Sequence, residues 1–170
     1  PLNATDRIKI PYLKMYLMGA DLGHLENVKN RFLGQTRQPL EKLLGTFFLT
    51  SLLSAVKDSL KKRFTKAKGP EPKFLWSGNL GIPIAYAKDK NKEVFQEVWQ
   101  VAAVLSNRLE STELFFNPMH IEKLESLYEE VLPYTHEQGR DFFVESELEA
   151  SLRILQQDIT LKDGIYAFVD

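Results

Sequence analysis

Apolar residues recur at helical spacing along most of the chain, and the clearest stripe lies between residues 38 and 68. On a helical wheel its members fall within a sector about 120° wide. They are Leu49, Leu52, Leu53, Val56, Leu60 and Phe64. Pro39 suits a first helical position, and two prolines in Gly69-Pro70-Glu71-Pro72 cannot continue a helix. We therefore predict one long helix here, with the apolar stripe facing the core.

The same spacing predicts further helices on both sides of this one. They cover residues 6–18, 21–32, 91–110, 119–132 and 146–158, with a last short helix from Thr160. Residues 69–90 lack a helical period and contain Gly78, Gly81 and Pro83, so this connection is predicted to be irregular, either an ordered loop or a short hairpin. The fold class predicted is all-α, a helical bundle of about five to seven helices around one long central helix.

Composition agrees with a globular protein, since 44% of the 170 residues are hydrophobic and 26% are charged. The length suits a single helical domain over 1–170, which can divide into two packed lobes, 1–68 and 91–170. With no cysteine, disulfides and thiolate metal sites are excluded, and we expect a cytoplasmic protein. The longest apolar runs, residues 46–53 and 101–105, are too short to span a bilayer, so we expect no membrane contact.

Charge is unevenly distributed along the sequence. Residues 1–75 contain 14 Lys and Arg against 6 Asp and Glu, whereas residues 76–170 contain 8 against 17. The first part is therefore strongly basic and the second strongly acidic. Such asymmetry indicates either a polyanionic partner or head-to-tail association between copies of the chain.

Catalytic patterns do not stand out in the sequence. The three histidines, His24, His120 and His136, fall in separate predicted elements without a matched nucleophile. The paired acid-x-x-His spacing of helical metal sites is missing, and no glycine loop ends in Gly-Lys-Ser/Thr. We therefore predict a protein that is not an enzyme, with no metal and no cofactor.

Positive charge is densest near the end of the long predicted helix. Six cations fall within twelve residues, namely Lys57, Lys61, Lys62, Arg63, Lys66 and Lys68. The wheel directs five of them, Lys57 included, to solvent. Four more could extend this surface if the preceding turn packs beside it, namely Arg31, Arg37, Lys42 and Lys73. The ten together form the candidate nucleic-acid-binding site.

Three interpretations of this basic segment remain open. It can contact nucleic-acid backbone, which requires only positive charge within reach of phosphates. It can dock on an acidic protein partner, or it can be an ordinary solvated face near a helix C-terminus. The downstream aromatic residues Phe74, Trp76 and Tyr86 could stack on bases, although core packing explains them as well.

The basic segment 57–68, the amphipathic helix over 91–110 and the lack of catalytic residues together indicate a resemblance to a known protein family. The chain is similar to the small helical subunits of class 1 CRISPR effector complexes, which correspond to the C-terminal helical part of the large subunit. The resemblance implies copies stacked along a guide RNA, with basic faces steadying RNA or single-stranded DNA through the backbone. The alternative prediction is a helical adaptor that binds protein partners.

Overall fold

The predicted long helix is present as α1, Leu40–Phe64. The computed structural model describes residue 17 and residues 36–64, 74–83, 90–109, 119–149 and 168–169. Beyond α1, these ranges contain β1 (Gly78–Ile82), α2 (Lys90–Arg108), α3 (Ile121–Val131), a 3-10 turn (Leu132–Tyr134), α4 (Thr135–Gln138), β2 (Phe142–Ser146) and β3 (Phe168–Val169).

Helices hold 72% of the described residues, so the mainly helical prediction is confirmed at that level. Four α-helices with complete bounds are described, fewer than the five to seven predicted. The helices predicted over 6–18 and 21–32 lie outside the described residues except for position 17, as does most of the helix predicted over 146–158.

The all-α prediction was wrong in one respect, because the fold includes a small parallel sheet with strand order β2-β1-β3. Leu80 at the centre of β1 pairs with Val144 of β2 and with Val169 of β3. Within the described residues 74–83, β1 therefore pairs with strands distant in sequence and not with a neighbouring strand of a local hairpin. These strands could not be recognised because β1 is five residues long with two glycines, and its partner β2 lies about sixty residues away in sequence.

Helix α2 is the central element, whereas the sequence pattern favoured α1 for that position. It contacts α1, α3, α4 and β2. Trp99 and Phe95 on α2 join the sheet residues Phe142 and Leu80 in one buried cluster. Val101 and Leu105 join Leu43 of α1 and Tyr128 of α3 in a second cluster. One helix is therefore shared between two halves of the core.

Helix α1 presents a different face to the core from the one predicted. Its deeply buried positions include Leu43, Thr46, Thr50, Ser54 and Lys57, which follow one another at helical spacing. The predicted stripe members Leu52, Val56 and Leu60 are only half-buried. The buried face is thus rotated by about 90° from the apolar stripe.

The rotation reflects packing on more than one side of α1. Leu17 belongs to the buried cluster that also contains Leu49 and Leu53, so it covers part of the apolar stripe. A Cβ on Gly45 would lie 2.7 Å from a methyl carbon of Leu17, so the Leu17 side chain packs directly against α1 there. Polar side chains of α1 face the end of α2 instead, where Lys57 donates to Ser106 and Ser54 donates to the carbonyl of Leu109.

By length and composition alone, α1 could also cross a membrane, with a mean hydropathy of 1.3 over its 18 most apolar consecutive residues. Half of that stretch is buried inside the fold, as in the core helix of a soluble protein. One such helix is weak evidence for a membrane span, and the expectation of no membrane contact stays a prediction.

Candidate nucleic-acid interface

The last turn of α1 carries three consecutive cations, Lys61, Lys62 and Arg63. All three are exposed. Successive helical residues are about 100° apart, so the three side chains fan across more than half of the helix circumference. We call these residues the cationic end of α1. Their position also suits the helix macrodipole, which favours positive charge at a C-terminus.

Lys57 lies one turn earlier and is buried, with only 3% of its surface exposed. Its ammonium donates hydrogen bonds to Ser106 Oγ and Asn107 Oδ1 of α2, both at 2.7 Å. The same nitrogen lies 5.6 Å from the centre of the Trp76 ring and 5.7 Å from that of Phe142. The prediction that Lys57 faces solvent was therefore wrong.

Burial is also the main electrostatic influence on Lys57. Desolvation, followed by repulsion from Lys61, lowers the pKa of the Lys57 amine to about 8. The two ring faces and the polar groups of Ser106 and Asn107 replace part of the lost hydration. Lys57 thus fixes the end of α1 on α2 and does not itself reach a ligand.

Two other predicted site residues lie at the opposite end of α1. Lys42 forms an ion pair with Glu97 of α2 at 2.8 Å. At a rise of about 1.5 Å per residue, it is separated from Lys61 by about 29 Å along the helix. Arg37 precedes α1 and is exposed, still further from the cationic end. Neither residue extends the cationic surface as predicted. The remaining predicted residues, Arg31, Lys66, Lys68 and Lys73, lie outside the described ranges.

Aromatic side chains pack beside the cationic end. Phe64, the last residue of α1, meets Phe74 edge to face at 6.1 Å, and Phe74 stacks on Trp76 at 5.5 Å with an interplanar angle of 11°. Trp76 packs against the core and carries Lys57 over its ring. We call Phe64, Phe74 and Trp76 the aromatic ladder. The ladder is half-buried at Trp76, as core packing predicts, and 39% exposed at Phe64. Stacking on bases stays a prediction, and Tyr86 lies outside the described residues.

The ladder explains why the cationic end has a defined shape. A helix C-terminus without tertiary contacts frays, because its last carbonyls lack intrahelical partners. Here the ring of Phe64 is held by Phe74, which is held by Trp76. The cations are therefore presented on a turn that is anchored on two sides, by the ladder and by the Lys57 contacts.

Sequence reasoning missed the partners of Lys57. Ser106 and Asn107 follow directly after the apolar run 101–105 of α2, where a serine breaks the hydrophobic pattern. That break was the available signal. Its meaning depended on knowing which face of α1 packs on α2, which the apolar stripe misassigned. Among the described residues, no group of three or more His, Cys, Asp and Glu could hold a metal ion.

Comparison with known proteins gives no relatives, since no family model, curated protein or solved structure matches the chain.

Proposed function

We propose that this protein is a non-enzymatic, sequence-independent nucleic-acid-binding subunit of a larger ribonucleoprotein complex, contacting RNA or single-stranded DNA through the backbone. The observation that carries the proposal is the cationic end of α1, where Lys61, Lys62 and Arg63 are exposed on an anchored turn. Phosphate contacts need positive charge that a backbone can reach, and they carry no sequence information.

The size of this surface favours a subunit over an independent binder. Proteins that bind DNA tightly on their own make about six to ten phosphate contacts. The described cationic end offers three cations, and Lys66 and Lys68 follow them in the sequence. A surface of this size gives modest affinity alone, which a complex with several copies or several subunits would raise through simultaneous contacts.

Acidic residues on other elements fit such an assembly. Glu122 and Glu130 on α3 are exposed, as are Glu137 on α4 and Asp141 beyond it. Unlike surfaces on one chain can join copies head to tail and continue along a filament. We include this association, together with a cytoplasmic location and the relation to CRISPR small subunits, in the proposal.

The proposal is tested by removing the three charges without touching the core. The variant Lys61→Gln, Lys62→Gln, Arg63→Gln should lose most binding to a fluorescent single-stranded oligonucleotide, measured by anisotropy at low salt. A charge-matched control, Arg37→Gln, Lys123→Gln, Arg140→Gln, removes three exposed cations elsewhere and should bind nearly as the parent does. Equal losses in both variants, or none in the first, would contradict the proposal.

A second candidate function, a helical adaptor for protein partners, is favoured by exposed apolar side chains. Leu75 is 89% exposed, while Phe48, Phe143 and Leu148 are each more than half exposed. Large apolar side chains at the surface are typical of protein interfaces when they cluster. Affinity purification after nuclease treatment separates the two functions. A protein complex that survives nuclease and is lost on Leu75→Ser and Phe143→Ser substitution would favour the adaptor.

A further inference from the structure

A cleft of about 620 Å³ lies between α2 and the segment that follows α3. Its volume falls within the range of small-molecule sites, about 300 to 1,000 Å³. The polar side chains used below are Lys92, Glu93, Gln96, Glu97 and Gln100 from α2 and His136 from α4. None of the cations at the end of α1 lines it, so the cleft is separate from the proposed nucleic-acid interface.

The back wall of the cleft is held in place by hydrogen bonds. The Gln96 amide donates to the carbonyl of Phe142 at 2.6 Å and accepts from the backbone N–H of Val144 at 2.9 Å. Both bonding groups lie on the outer edge of β2, because β1 pairs with the other edge. Gln96 therefore satisfies backbone groups on the exposed edge of β2, and these two hydrogen bonds hold its side chain in place.

Glu97 is fixed beside it. Its Oε1 atom accepts hydrogen bonds from the ammonium of Lys42 and the hydroxyl of Tyr128. Burial and this carboxylate raise the pKa of Tyr128 above its ordinary range, so the hydroxyl stays a donor at neutral pH. Within the described part of the chain, both partners use Oε1, which leaves Oε2 of Glu97 available to the cleft.

The side chains at the mouth of the cleft, unlike those of the back wall, are not held by hydrogen bonds within the described ranges. Among the described residues, the side chains of Lys92, Glu93, Gln100 and His136 make no hydrogen bond or ion pair with one another or with their neighbours. Adjacent residues Lys92 and Glu93 present opposite charges without pairing. The cleft thus combines a wall held by hydrogen bonds with charged side chains of both signs at its mouth. Such a site suits a ligand that itself carries a positive and a negative charge.

We propose that this cleft binds a small zwitterion bearing an ammonium and a carboxylate, as a free amino acid or a dipeptide does. The ligand ammonium would lie between Glu93 and Glu97 Oε2, which are one helical turn apart on the same face of α2. The ligand carboxylate would accept from Lys92 and His136. A purely anionic ligand would meet the Glu93 carboxylate, and a purely cationic one would meet Lys92.

The probe for this site is glycylglycine, titrated into the ¹⁵N-labelled full chain and followed by amide chemical shifts. We expect saturable shifts at residues 92–100 and 135–136. N-acetylglycylglycine lacks the ammonium and glycylglycinamide lacks the carboxylate, so each should bind at least about tenfold more weakly, the equivalent of one lost charged contact. Equal shifts with the blocked dipeptides or with glycerol, or no saturable shifts with glycylglycine, would overturn the proposal.

Variants assign the effect to the cleft. Glu93→Gln and Lys92→Gln change exposed or half-exposed groups with no partner to lose, so the fold should be retained. Each should weaken glycylglycine binding about tenfold while leaving oligonucleotide binding unchanged. The matched control Glu122→Gln removes an exposed carboxylate from α3 and should bind glycylglycine as the parent does. Weakening by Glu122→Gln as strong as by Glu93→Gln would contradict a specific site.

Discussion

The ammonium of Lys57 lies 2.7 Å from the hydroxyl oxygen of Ser106. Ser106 in turn donates to the carbonyl of Ala103 at 2.7 Å, so its single hydrogen is directed away and its lone pairs face the lysine. The contact joins the last third of α1 to the last turns of α2. A residue that the sequence places at the surface thus belongs to the packing that positions the cationic end.

The buried amine predicts a specific pH dependence of stability. The pKa of Lys57 is about 8 in the folded protein and 10.5 in the reference state. Between these values the unfolded chain binds more protons, so the free energy of unfolding should rise with pH from about 8 upwards. Below pH 8 both states are protonated and the full cost of burying the charge, on the order of 3 kcal/mol, is present.

The substitution Lys57→Met tests this dependence. It removes the titrating amine and keeps an unbranched side chain between the rings of Trp76 and Phe142. Urea unfolding between pH 7 and about 9.5 should show a rise for the parent that is missing from the variant. Lys62→Met, at an exposed position, is the control and should retain the rise. If the difference in free energy of unfolding between the parent and Lys57→Met stays constant with pH, Lys57 does not titrate in this range.

A second prediction concerns the start of α1. Glu125 of α3 accepts hydrogen bonds from the backbone N–H groups of Arg37 and Gln38, at 2.5 and 2.6 Å. Glu125→Ala leaves both donors without this charged acceptor and should lower the free energy of unfolding by about 2 to 3 kcal/mol. Glu125→Gln keeps an oxygen acceptor and should cost less. Glu122→Ala, on the exposed side of the same helix, should change stability by less than about 0.5 kcal/mol, as measured by urea denaturation.

How much of this fold could be predicted from the sequence depended on how local each interaction is. The long helix α1 and the helix α2 were predicted because their signals lie within one segment. The buried face of α1 was not predicted, since Thr46 and Thr50 are buried against neighbours that only the tertiary fold brings together. The exposure of Lys61 and Lys62 was predicted because surface charge is local. The wheel did not direct Arg63 to solvent, although it is exposed, and the burial of Lys57 depended on its contacts with α2.

A third prediction concerns the packing of β1 on α2. A Cβ added to Gly78 would lie 2.9 Å from the ring of Trp99 and 3.0 Å from that of Phe142. These rings meet edge to face at 5.4 Å and are buried, so neither can move freely. Gly78→Ala should therefore destabilise the protein by about 1 to 3 kcal/mol.

The matched comparison for this prediction is Gly81→Ala in the same strand. Its added carbon would lie 3.2 Å from Cγ of the exposed Glu147 side chain and 3.7 Å from the Cα of the same residue, which is an ordinary van der Waals distance. The midpoint of thermal unfolding should be clearly lower for Gly78→Ala than for Gly81→Ala. Equal midpoints would mean that the contact with Trp99 does not limit the approach of β1.

The central claim, nucleic-acid backbone binding by the cationic end of α1, is tested most directly by the salt dependence of binding. Each phosphate contact with a single strand contributes about −0.7 to the slope of log K against log salt concentration. The slope of the parent should therefore be more negative than that of the Lys61→Gln, Lys62→Gln, Arg63→Gln variant by about two units, with the same single-stranded oligonucleotide. Identical slopes for the parent and this variant would contradict the account.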